Sequence, residues 1–465
     1  MNSRHIALLI IALLILGFGS FYVPYVDLFA KYGVGVVLVI LFIKKRRQGI
    51  VLLSDEDLED PSNAMPPMNP VELQRELIQL RISDPDFSMV LFMDFARLVY
   101  SHFHELHRGR SGSPEELKPF LSQDIYEALL EQRDELGEAE VSITNVIIGG
   151  ATLISLEHGL LLTAIHLRML VGFTLNSKET HERRVYHAEE TVTFKRKSGV
   201  VSKPPEQMRS LHCPSCGSPV KTNEKGLCAS CGGAPVPGEE QWRLDAIVTS
   251  AEREVTSSPD ENPRERVEIK DAKALRAPDL HEAMRSLVAR DLSFDLNEFR
   301  KQITSRFLEL QAAWSAGDLS PLRPRMTDGL YQTTSFWIDD YKQRGLRNIL
   351  EEVVVHDVAP VKVDADAFYD VFTVLISASA KDYTVDSAGN VLFGNSNAST
   401  HYREYWTFIR RLASVEKPIS LNCPNCSAQL EEAMAQDCPY CGAFIEGAQF
   451  DWTAAFIDQE ASYRG

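Results

Sequence analysis

The sequence predicts an α+β protein made of two tandem modules that follow an apolar amino-terminal segment. Two cysteine-rich stretches begin 423 − 213 = 210 positions apart and mark two similar halves of the chain. Before each stretch, apolar residues first recur at helical spacing and then alternate with polar residues, as in strands. Helices that precede one antiparallel sheet form the layers of an α+β fold.

Two apolar runs occupy the amino terminus. The run 6–23 is uncharged, and the run 28–43 is broken only by Lys31 and ends at four cations, residues 44–47. Cations at one end of a span favour the cytoplasmic side. We therefore predict a membrane hairpin with spans 6–23 and 28–43, which places the rest of the chain on the cytoplasmic side of the inner (plasma) membrane. The alternative is a cleaved signal peptide at 6–23 followed by one span.

Two polar stretches read as linkers. Residues 48–70 are rich in Asp, Glu, Pro, Ser and Asn, and residues 252–270 are charged. These two linkers, together with the usual length of a single domain, predict that the chain is divided into seven segments. These are a membrane anchor at 1–47, a linker at 48–70, a first domain at 71–200, a first cysteine ribbon with its return segment at 205–250, a linker at 251–275, a second domain at 276–412, and a second ribbon with its return segment at 418–460.

Amphipathic helices open both domains. Apolar residues between 89 and 103 step by three or four positions, and the same pattern returns 207 positions later. The aligned residues are Met89, Phe92, Ala96, Tyr100 and Phe103 in the first copy, and Leu296, Phe299, Ile303, Phe307 and Leu310 in the second. A helix starting at Pro70 precedes the first pattern, and a helix over 277–290 precedes the second. The segments KPFLSQDIY (118–126) and RPRMTDGLY (323–331) also align, with an offset of 205.

Strand-like segments follow in both copies, because β-branched and aromatic residues alternate with polar ones. The predicted strands are VSITNVIIG (141–149), LLTAIHLRMLVGF (161–173) and VYHAEETVTFKRK (185–197) in the first copy, and LEEVVVHDV (350–358), FYDVFTVLISASA (368–380) and HYREYWTFIRR (401–411) in the second. The segment 382–394 predicts a hairpin that turns at 387–390. After each cysteine cluster, an aromatic-led segment returns, GEEQWRLDAI (238–247) and GAQFDWTAAFI (447–457).

All eight cysteines lie in two clusters with identical CxxC-x11-CxxC spacing. They are Cys213, Cys216, Cys228 and Cys231 in the first cluster, and Cys423, Cys426, Cys438 and Cys441 in the second. A CxxC turn places two thiolates on one side of a knuckle, and a second knuckle about a dozen residues later completes the tetrahedron that Zn²⁺ prefers. Gly217, Gly232 and Gly442 each directly follow a CxxC, where a positive φ is favoured, and Ser427 takes the fourth such place. The spacing predicts two structural zinc sites.

Other uses of the cysteines fit less well. Disulfides suit an oxidising compartment, a redox CxxC opens a helix after a strand, and a catalytic zinc keeps an open coordination position. Four cysteines close a site, and reduced thiolates agree with a cytoplasmic body. His212 could replace Cys213 as a ligand, although an exposed histidine beside the knuckle is the simpler interpretation.

The charge balance argues against nucleic acid as a partner. The chain carries 48 basic and 65 acidic residues, for a net charge of −17, whereas phosphate recognition needs a concentrated basic patch. The second ribbon's loop contains three acidic residues and no Lys or Arg. We therefore predict membrane lipid, through the hairpin, and a protein or peptide as the partners.

The candidate catalytic groups are few, and we predict that the protein is not an enzyme. His102, His104 and His107 read as a solvated face of the first long helix. Glu190 and Glu404 alternate with apolar neighbours on the last predicted strand of each copy, where a buried ion pair with Arg403 or Arg410 is the expected role. Neither a phosphate-binding loop nor a GxSxG motif occurs.

Three motifs carry a resemblance to a known family. DPDF (84–87), the aligned segments ending at Tyr126 and Tyr331, and EYWTFIRR (404–411) are similar to the translocase of inner membrane 44-like domain. The resemblance is stronger in the second copy, since Val192 stands in the first copy where Trp406 stands in the second. It implies two tandem cone-shaped nuclear transport factor 2-like domains, in which helices pack into a curved sheet. A bacterial group in this family likewise places a zinc ribbon after the domain.

The resemblance also implies a function. It points to a membrane-anchored binding or scaffold protein in protein transport or membrane-protein assembly, whose domains bind polypeptide, a partner subunit or lipid. Two rivals stay open at this point, a cone-fold enzyme with a buried carboxylate and a zinc-ribbon protein that binds nucleic acid. The oligomeric state does not follow from the sequence.

Overall fold

The computed structural model divides into two units, 1–52 and 53–465. The described residues are 50–51, 66–109, 113–135, 141–177, 183–208, 232, 238–255, 274–412, 422–423, 428–430, 436–440, 444–445, 447–449, 451–460 and 463. In the first unit they form one short strand, β1 (Ile50–Val51). Among the described helices, none has the length and apolar character needed to cross a membrane. The predicted spans 6–23 and 28–43 lie outside the described residues.

The first module, residues 66–255, places helices before strands. Its helices are α1 (Pro70–Ser83), α2 (Met89–His104, continued by a π-helical turn at Glu105–Gly109), α3 (Pro114–Leu117), a 3-10 turn at Lys118–Phe120, α4 (Gln123–Glu135) and α5 (Pro205–Met208). Its strands are β2 (Val141–His158), β3 (Leu162–Ser177), β4 (Arg183–Lys197) and β5 (Arg243–Glu254). The structure thus confirms the helix predicted to start at Pro70.

The second module, residues 274–463, repeats this order. Its helices are α6 (Leu280–Arg290), α7 (Leu296–Ala316), a 3-10 helix at Ser320–Arg325, α8 (Asp328–Gln343) and a 3-10 turn at Gly447–Gln449. Its strands are β6 (Leu346–Ala365), β7 (Tyr369–Asp386), β8 (Val391–Gly394), β9 (Thr400–Arg411), β10 (Gln436–Asp437), β11 (Phe444–Ile445) and β12 (Thr453–Gln459). The helix predicted at 277–290 is present as α6.

Side-chain caps explain where the main helices begin. Asn69 and Ser88 accept hydrogen bonds from the first turns of α1 and α2, as Asp295 and Thr327 do for α7 and α8. Gly317, with φ of 70°, ends α7 in the left-handed conformation that glycine adopts without strain. The predicted apolar faces of α2 and α7 are buried or partly buried against the sheets, as their spacing predicted.

Both main sheets are antiparallel, which confirms the α+β class. In order across the sheet, the strands are β5-β4-β3-β2 in the first module and β12-β9-β7-β6 in the second, where β8 pairs with β7 in the predicted hairpin. In each module, the aromatic-led segment after the cysteines becomes the strand that pairs with the end of the sheet. Val192 pairs with Ile247, and Trp406 pairs with Ile457.

The returning strand also contacts the start of a helix in the same way in both modules. Leu121 forms a parallel bridge to Leu244, and Met326 forms one to Ala454. The next backbone N–H donates to the bridged residue's carbonyl at 2.8 Å in both cases, from Ser122 and from Thr327. The alignment of 118–126 with 323–331 predicted that these positions correspond.

A three-residue joint fastens each returning strand to the loop that precedes the long helix. In the first module, the Arg196 guanidinium lies 2.5 Å from the Asp84 carboxylate and 4.4 Å from the centre of the Trp242 ring. The joint of the second module consists of Asp291, Arg410 and Trp452, with distances of 2.8 Å and 4.6 Å. Stacking on an aromatic face and pairing with a carboxylate both stabilise a guanidinium. Each joint therefore ties three distant parts of its module together.

Several strands are longer than the sequence pattern predicts. β2 has 18 residues and β6 has 20, whereas the predicted segments cover nine positions of each. Both strands contain register shifts, which interrupt strict alternation. β5 continues through Glu254, so the strand extends beyond the predicted start of the linker at 251.

The two modules contact each other through α8. This helix packs on β6 and β12 of its own sheet and on β2 and α2 of the first module. The Phe336 ring lies against Gly149 and Gly172, where a Cβ atom would stand 2.4 Å from the ring in either place. Arg97 of α2 donates to the Gly329 carbonyl at 3.3 Å and to Thr333 Oγ1 at 3.1 Å. Glycines inside strands thus mark a close approach.

Candidate functional site

The second cysteine cluster is described in part. Cys423 and Cys438 are both buried, at 2 % exposure each. The Cys423 N–H donates to the Ala428 carbonyl at 2.8 Å, which closes the first knuckle. Cys438 follows β10, which pairs with β11 in the second knuckle. Two buried thiols on two antiparallel knuckles fit the predicted zinc ligand set.

The remaining predicted ligands lie outside the described residues, namely Cys213, Cys216, Cys228, Cys231, Cys426 and Cys441. Within the described part of the chain, no three His, Cys, Asp or Glu side chains are arranged to hold a metal ion. The first cluster is represented only by Gly232, whose φ of 70° agrees with the predicted positive value. Both zinc sites therefore stay predictions.

A buried polar cluster surrounds Glu190 in the first module. The Tyr100 hydroxyl donates to Glu190 Oε2 at 2.5 Å, and His104 Nε2 lies 3.2 Å from the same oxygen. Thr249 Oγ1 donates to Glu190 Oε1 at 3.3 Å. All four side chains are buried, and donors from a helix and a neighbouring strand satisfy the carboxylate. The cluster joins α2 to β4 and β5.

This cluster corrects the interpretation of the histidines. His104 is 1 % exposed, so it does not belong to a solvated face. The prediction was wrong because a histidine inside an apolar helix face becomes favourable once a carboxylate on another element accepts from it. His102 is half-exposed and pairs with Glu105 at 3.3 Å, as a solvated residue can. The His107 ring stacks on Phe103.

The corresponding carboxylate of the second module has different surroundings. Glu404 is buried and accepts a hydrogen bond from Trp406 Nε1 at 3.0 Å. Phe307 and Gln311 stand where the first module has Tyr100 and His104. Glu404 lines a cavity of about 40 Å³ together with residues of α7, α8 and β12. A space of this size accepts a few water molecules rather than an acyl chain or a peptide.

The predicted arginine partners are elsewhere. Arg403 pairs with Glu460, and Arg410 pairs with Asp291 at 2.8 Å and with Asp370 at 3.4 Å. The ion-pair prediction for Glu190 and Glu404 is therefore wrong with respect to these two arginines. Neighbours along a strand point to opposite faces, which separates Arg403 from Glu404.

A cleft of about 360 Å³ lies between the first sheet and α8. The Phe173 and Phe336 rings line it, and His187 and Asp340 stand within it, 3.4 Å apart. Burial, with smaller contributions from the positive charges of Arg253 and Arg344, lowers the pKa of His187 to about 4. Burial also raises the pKa of Asp340, although Arg344, 3.2 Å away, opposes that rise. This cleft was not predicted from the sequence, where the glycines of IIGG and LVGF were the available signal.

A larger groove of about 530 Å³ runs along the second module between α7 and β6. Arg300, Lys301, Thr304, Ser305 and Leu308 line one wall, and residues 355–358 of β6 line the other. β6 is the edge strand of its sheet. An edge strand offers backbone donors and acceptors to an added strand, so the groove suits an extended polypeptide.

Comparison with known proteins bears on this half of the chain. No curated protein matches the sequence. The family model described as Tim44-like domain matches residues 280–419, which contain α6, α7, α8, β6, β7, β8 and β9. The match confirms the resemblance for the second predicted copy. Residues 280–419 are thus similar to the Tim44-like domain, and the groove between α7 and β6 lies within this region.

Proposed function

We propose that this protein is a membrane-anchored, non-enzymatic scaffold in protein transport or membrane-protein assembly. The second module binds an extended segment of polypeptide or of a partner subunit, and the amino-terminal hairpin holds the body at the cytoplasmic face of the membrane. The Tim44-like match over 280–419 carries the proposal, because this family is generally a non-enzymatic scaffold of protein translocation.

The groove supports polypeptide as the ligand. Its wall along β6 can pair with an extended chain through backbone hydrogen bonds, which do not depend on sequence. Leu308 on the opposite wall is 38 % exposed and offers an apolar contact to alternate side chains. A transport scaffold must accept many sequences, and backbone pairing meets that requirement.

We also propose that the two cysteine clusters are structural zinc ribbons at the ends of two cone-shaped modules. Each ribbon stands between the last long strand and the strand that returns to pair with it. A closed metal site there shortens the loop that the chain must order, and so stabilises the returning strand. Cys423 and Cys438 support this through their burial.

Photocrosslinking in intact membranes tests the proposed function. A photoreactive amino acid at Leu308 should capture a polypeptide, and one at Leu392, which is equally exposed on the β7–β8 hairpin, should not. Mass spectrometry then identifies what is captured. If Leu308 yields no polypeptide, or the same background as Leu392, the proposed ligand is wrong.

The proposed topology has its own test. A protease added outside sealed cells should leave the body intact and should cut it only after the membrane is permeabilised. Cleavage of residues 66–463 in sealed cells would contradict a cytoplasmic body.

A further inference from the structure

The tip of the β2–β3 hairpin exposes three consecutive leucines. Leu160 is 101 % exposed, Leu161 is 81 % exposed and Leu162 is 47 % exposed. Val201 lies in the segment after β4, which is fixed to this hairpin through Ser198, and it is 46 % exposed. Single exposed apolar residues are ordinary, but a contiguous apolar projection marks a contact with a partner or a membrane. We call residues 159–162 the leucine tip.

The protein itself satisfies much of the tip's backbone. The Gly159 N–H donates to the Leu162 carbonyl at 3.0 Å, and the Ser198 N–H donates to the Leu161 carbonyl at 3.0 Å. The Ser198 hydroxyl donates to the Gly159 carbonyl at 2.7 Å. A backbone group that enters lipid without a partner costs several kcal/mol, so these bonds remove a large obstacle to insertion. The tip is also held in a single shape, which lowers the entropy cost of contact.

The chain enters the first module beside this hairpin. The Met68 N–H donates to the Ile154 carbonyl of β2 at 2.9 Å, six residues from Leu160. Glu76 of α1 accepts from the His158 N–H at 3.2 Å, directly before the tip. Only residues 48–67 separate this entry point from the cations 44–47 that end the predicted second span. Twenty residues reach at most about 70 Å when fully extended.

Charge favours an apolar contact over an ionic one. The tip contains no charged residue, and the body as a whole is acidic, with a net charge of −17 for the chain. Lys197, next to Ser198, is paired with Glu239 at 2.8 Å. An acidic body is repelled by anionic lipid, so a direct contact of the body with the bilayer, beyond its tether, has to come from apolar groups.

We infer that the leucine tip inserts into the interfacial zone of the bilayer and orients the first module on the membrane. The occupant of this surface is lipid, because the tether enters beside the tip and the tip's backbone is already hydrogen-bonded. The inference rests on the proposed membrane anchor and adds a second point of contact to it. Two contacts, the tether and the tip, restrict rotation of the body about the anchor, which a tether alone cannot do.

Lipid photocrosslinking of the full chain tests the inference. The protein is reconstituted into vesicles of phosphatidylethanolamine and phosphatidylglycerol that contain a phospholipid with a photoreactive acyl chain. Trypsin then yields a peptide from 134 to 168 that contains the tip and a peptide from 382 to 403 that contains the β7–β8 hairpin. We expect lipid adducts on Leu160–Leu162 and none on Val391 or Leu392, which are 45 % and 39 % exposed.

Substitutions distinguish insertion from chance contact. The double variant L160S/L161S should lower the yield of tip adducts about tenfold, because two leucines no longer enter lipid. The matched variant L160M/L161M keeps the tip apolar and should retain the yield. Raising the salt concentration should change neither result, since no charge takes part.

Adducts on residues 6–43 in the same sample report the anchor separately. Anchor adducts without tip adducts overturn the inference and leave the proposed anchoring standing. A protein that does not float with the vesicles overturns both. If the tip in native membranes is crosslinked to a protein and carries no lipid adduct, its partner is a protein. That result would also overturn the inference.

Discussion

The two modules share their closing joint and differ in their interiors. Each has an Asp–Arg–Trp joint, a parallel bridge to a helix start and a strand that returns to the sheet after the cysteine cluster. Inside, the first module satisfies Glu190 from Tyr100 and His104, and the second satisfies Glu404 from Trp406 beside a small cavity. The shared joint and bridge fix the returning strand to the rest of each sheet, whereas the residues of the interior and of the outer surfaces differ between the modules.

Their surroundings differ as well. α8 of the second module covers part of the first sheet, where Phe336 lies against Gly149 and Gly172. The edge strand β6 of the second sheet borders a groove instead. The first sheet is thus covered in part by its neighbour, and the proposed binding groove lies on the second module. Four experiments test these differences between the modules.

Removal of one zinc ligand should abolish zinc binding at its own cysteine cluster and leave the other cluster intact. Cys423→Ser should lose half of the bound zinc, because structural zinc contributes about 10 kcal/mol or more to folding of its own ribbon and nothing to the other. Metal analysis gives the zinc content, and hydrogen exchange should show β12 exposed while β5 stays protected. Cys213→Ser should give the reverse pattern. Loss of all zinc in either variant would contradict two independent sites.

The two joints should differ in strength because they differ in burial. The side chains of Arg196 and Asp84 are 2 % and 0 % exposed, whereas those of Arg410 and Asp291 are both 19 % exposed. Arg196→Met leaves a buried, unpaired carboxylate and should cost about 3–5 kcal/mol. Arg410→Met should cost about 1 kcal/mol, since water reaches Asp291 and the buried Asp370 keeps its ion pair with Arg290 at 2.7 Å. Hydrogen exchange of β5 and β12 measures each effect, and equal costs would show that burial does not set the strength of the joint.

The contact between the modules should be sensitive to one methyl group. In Gly149→Ala the new Cβ meets the Phe336 ring at 2.4 Å and should destabilise the contact by about 2–3 kcal/mol. Gly150→Ala is the matched control, because its Cβ would meet the nearest atom, Leu170 Cβ, at an ordinary 3.8 Å. Hydrogen exchange of α8 reports the contact. Equal exchange in the two variants would mean that α8 does not depend on this site.

Acid should weaken the same contact. The pKa of His187 falls from an ordinary 6.5 to about 4 on burial, so the folded protein holds it neutral. Its contribution is complete above pH 6.5 and is lost as the pH falls towards 4, with a loss of about 1–2 kcal/mol at pH 5. Exchange of α8 should therefore rise between pH 7 and pH 5. In His187→Gln the side chain at this position cannot be protonated, so the pH dependence of α8 exchange should disappear. If it persists, one of the charged neighbours Asp340, Arg253 or Arg344 causes it instead of His187.

The sequence alone determined the local elements and their repetition. Periodic apolar residues predicted α2 and α7, Pro70 predicted the start of α1, and the offset of 205 between 118–126 and 323–331 predicted that the starts of α4 and α8 correspond. These features depend on residues close in the chain or on comparison of two copies, so they can be read without coordinates. The Tim44-like resemblance also came from short motifs, and the family match confirmed it for 280–419.

The pairing of polar groups and the contact between the modules depend on packing between residues that are distant in the chain. His104 and Glu190 are 86 positions apart, and Phe336 lies far along the chain from Gly149, so no local pattern joins them. The partners of a buried carboxylate depend on which elements pack beside it, and this is why Glu404 takes Trp406 rather than a neighbouring arginine. Leu160–Leu162 are likewise exposed because no other described element packs over them. Local periodicity indicates which residues can form a buried face, and the packing of helices and strands determines which of them are buried.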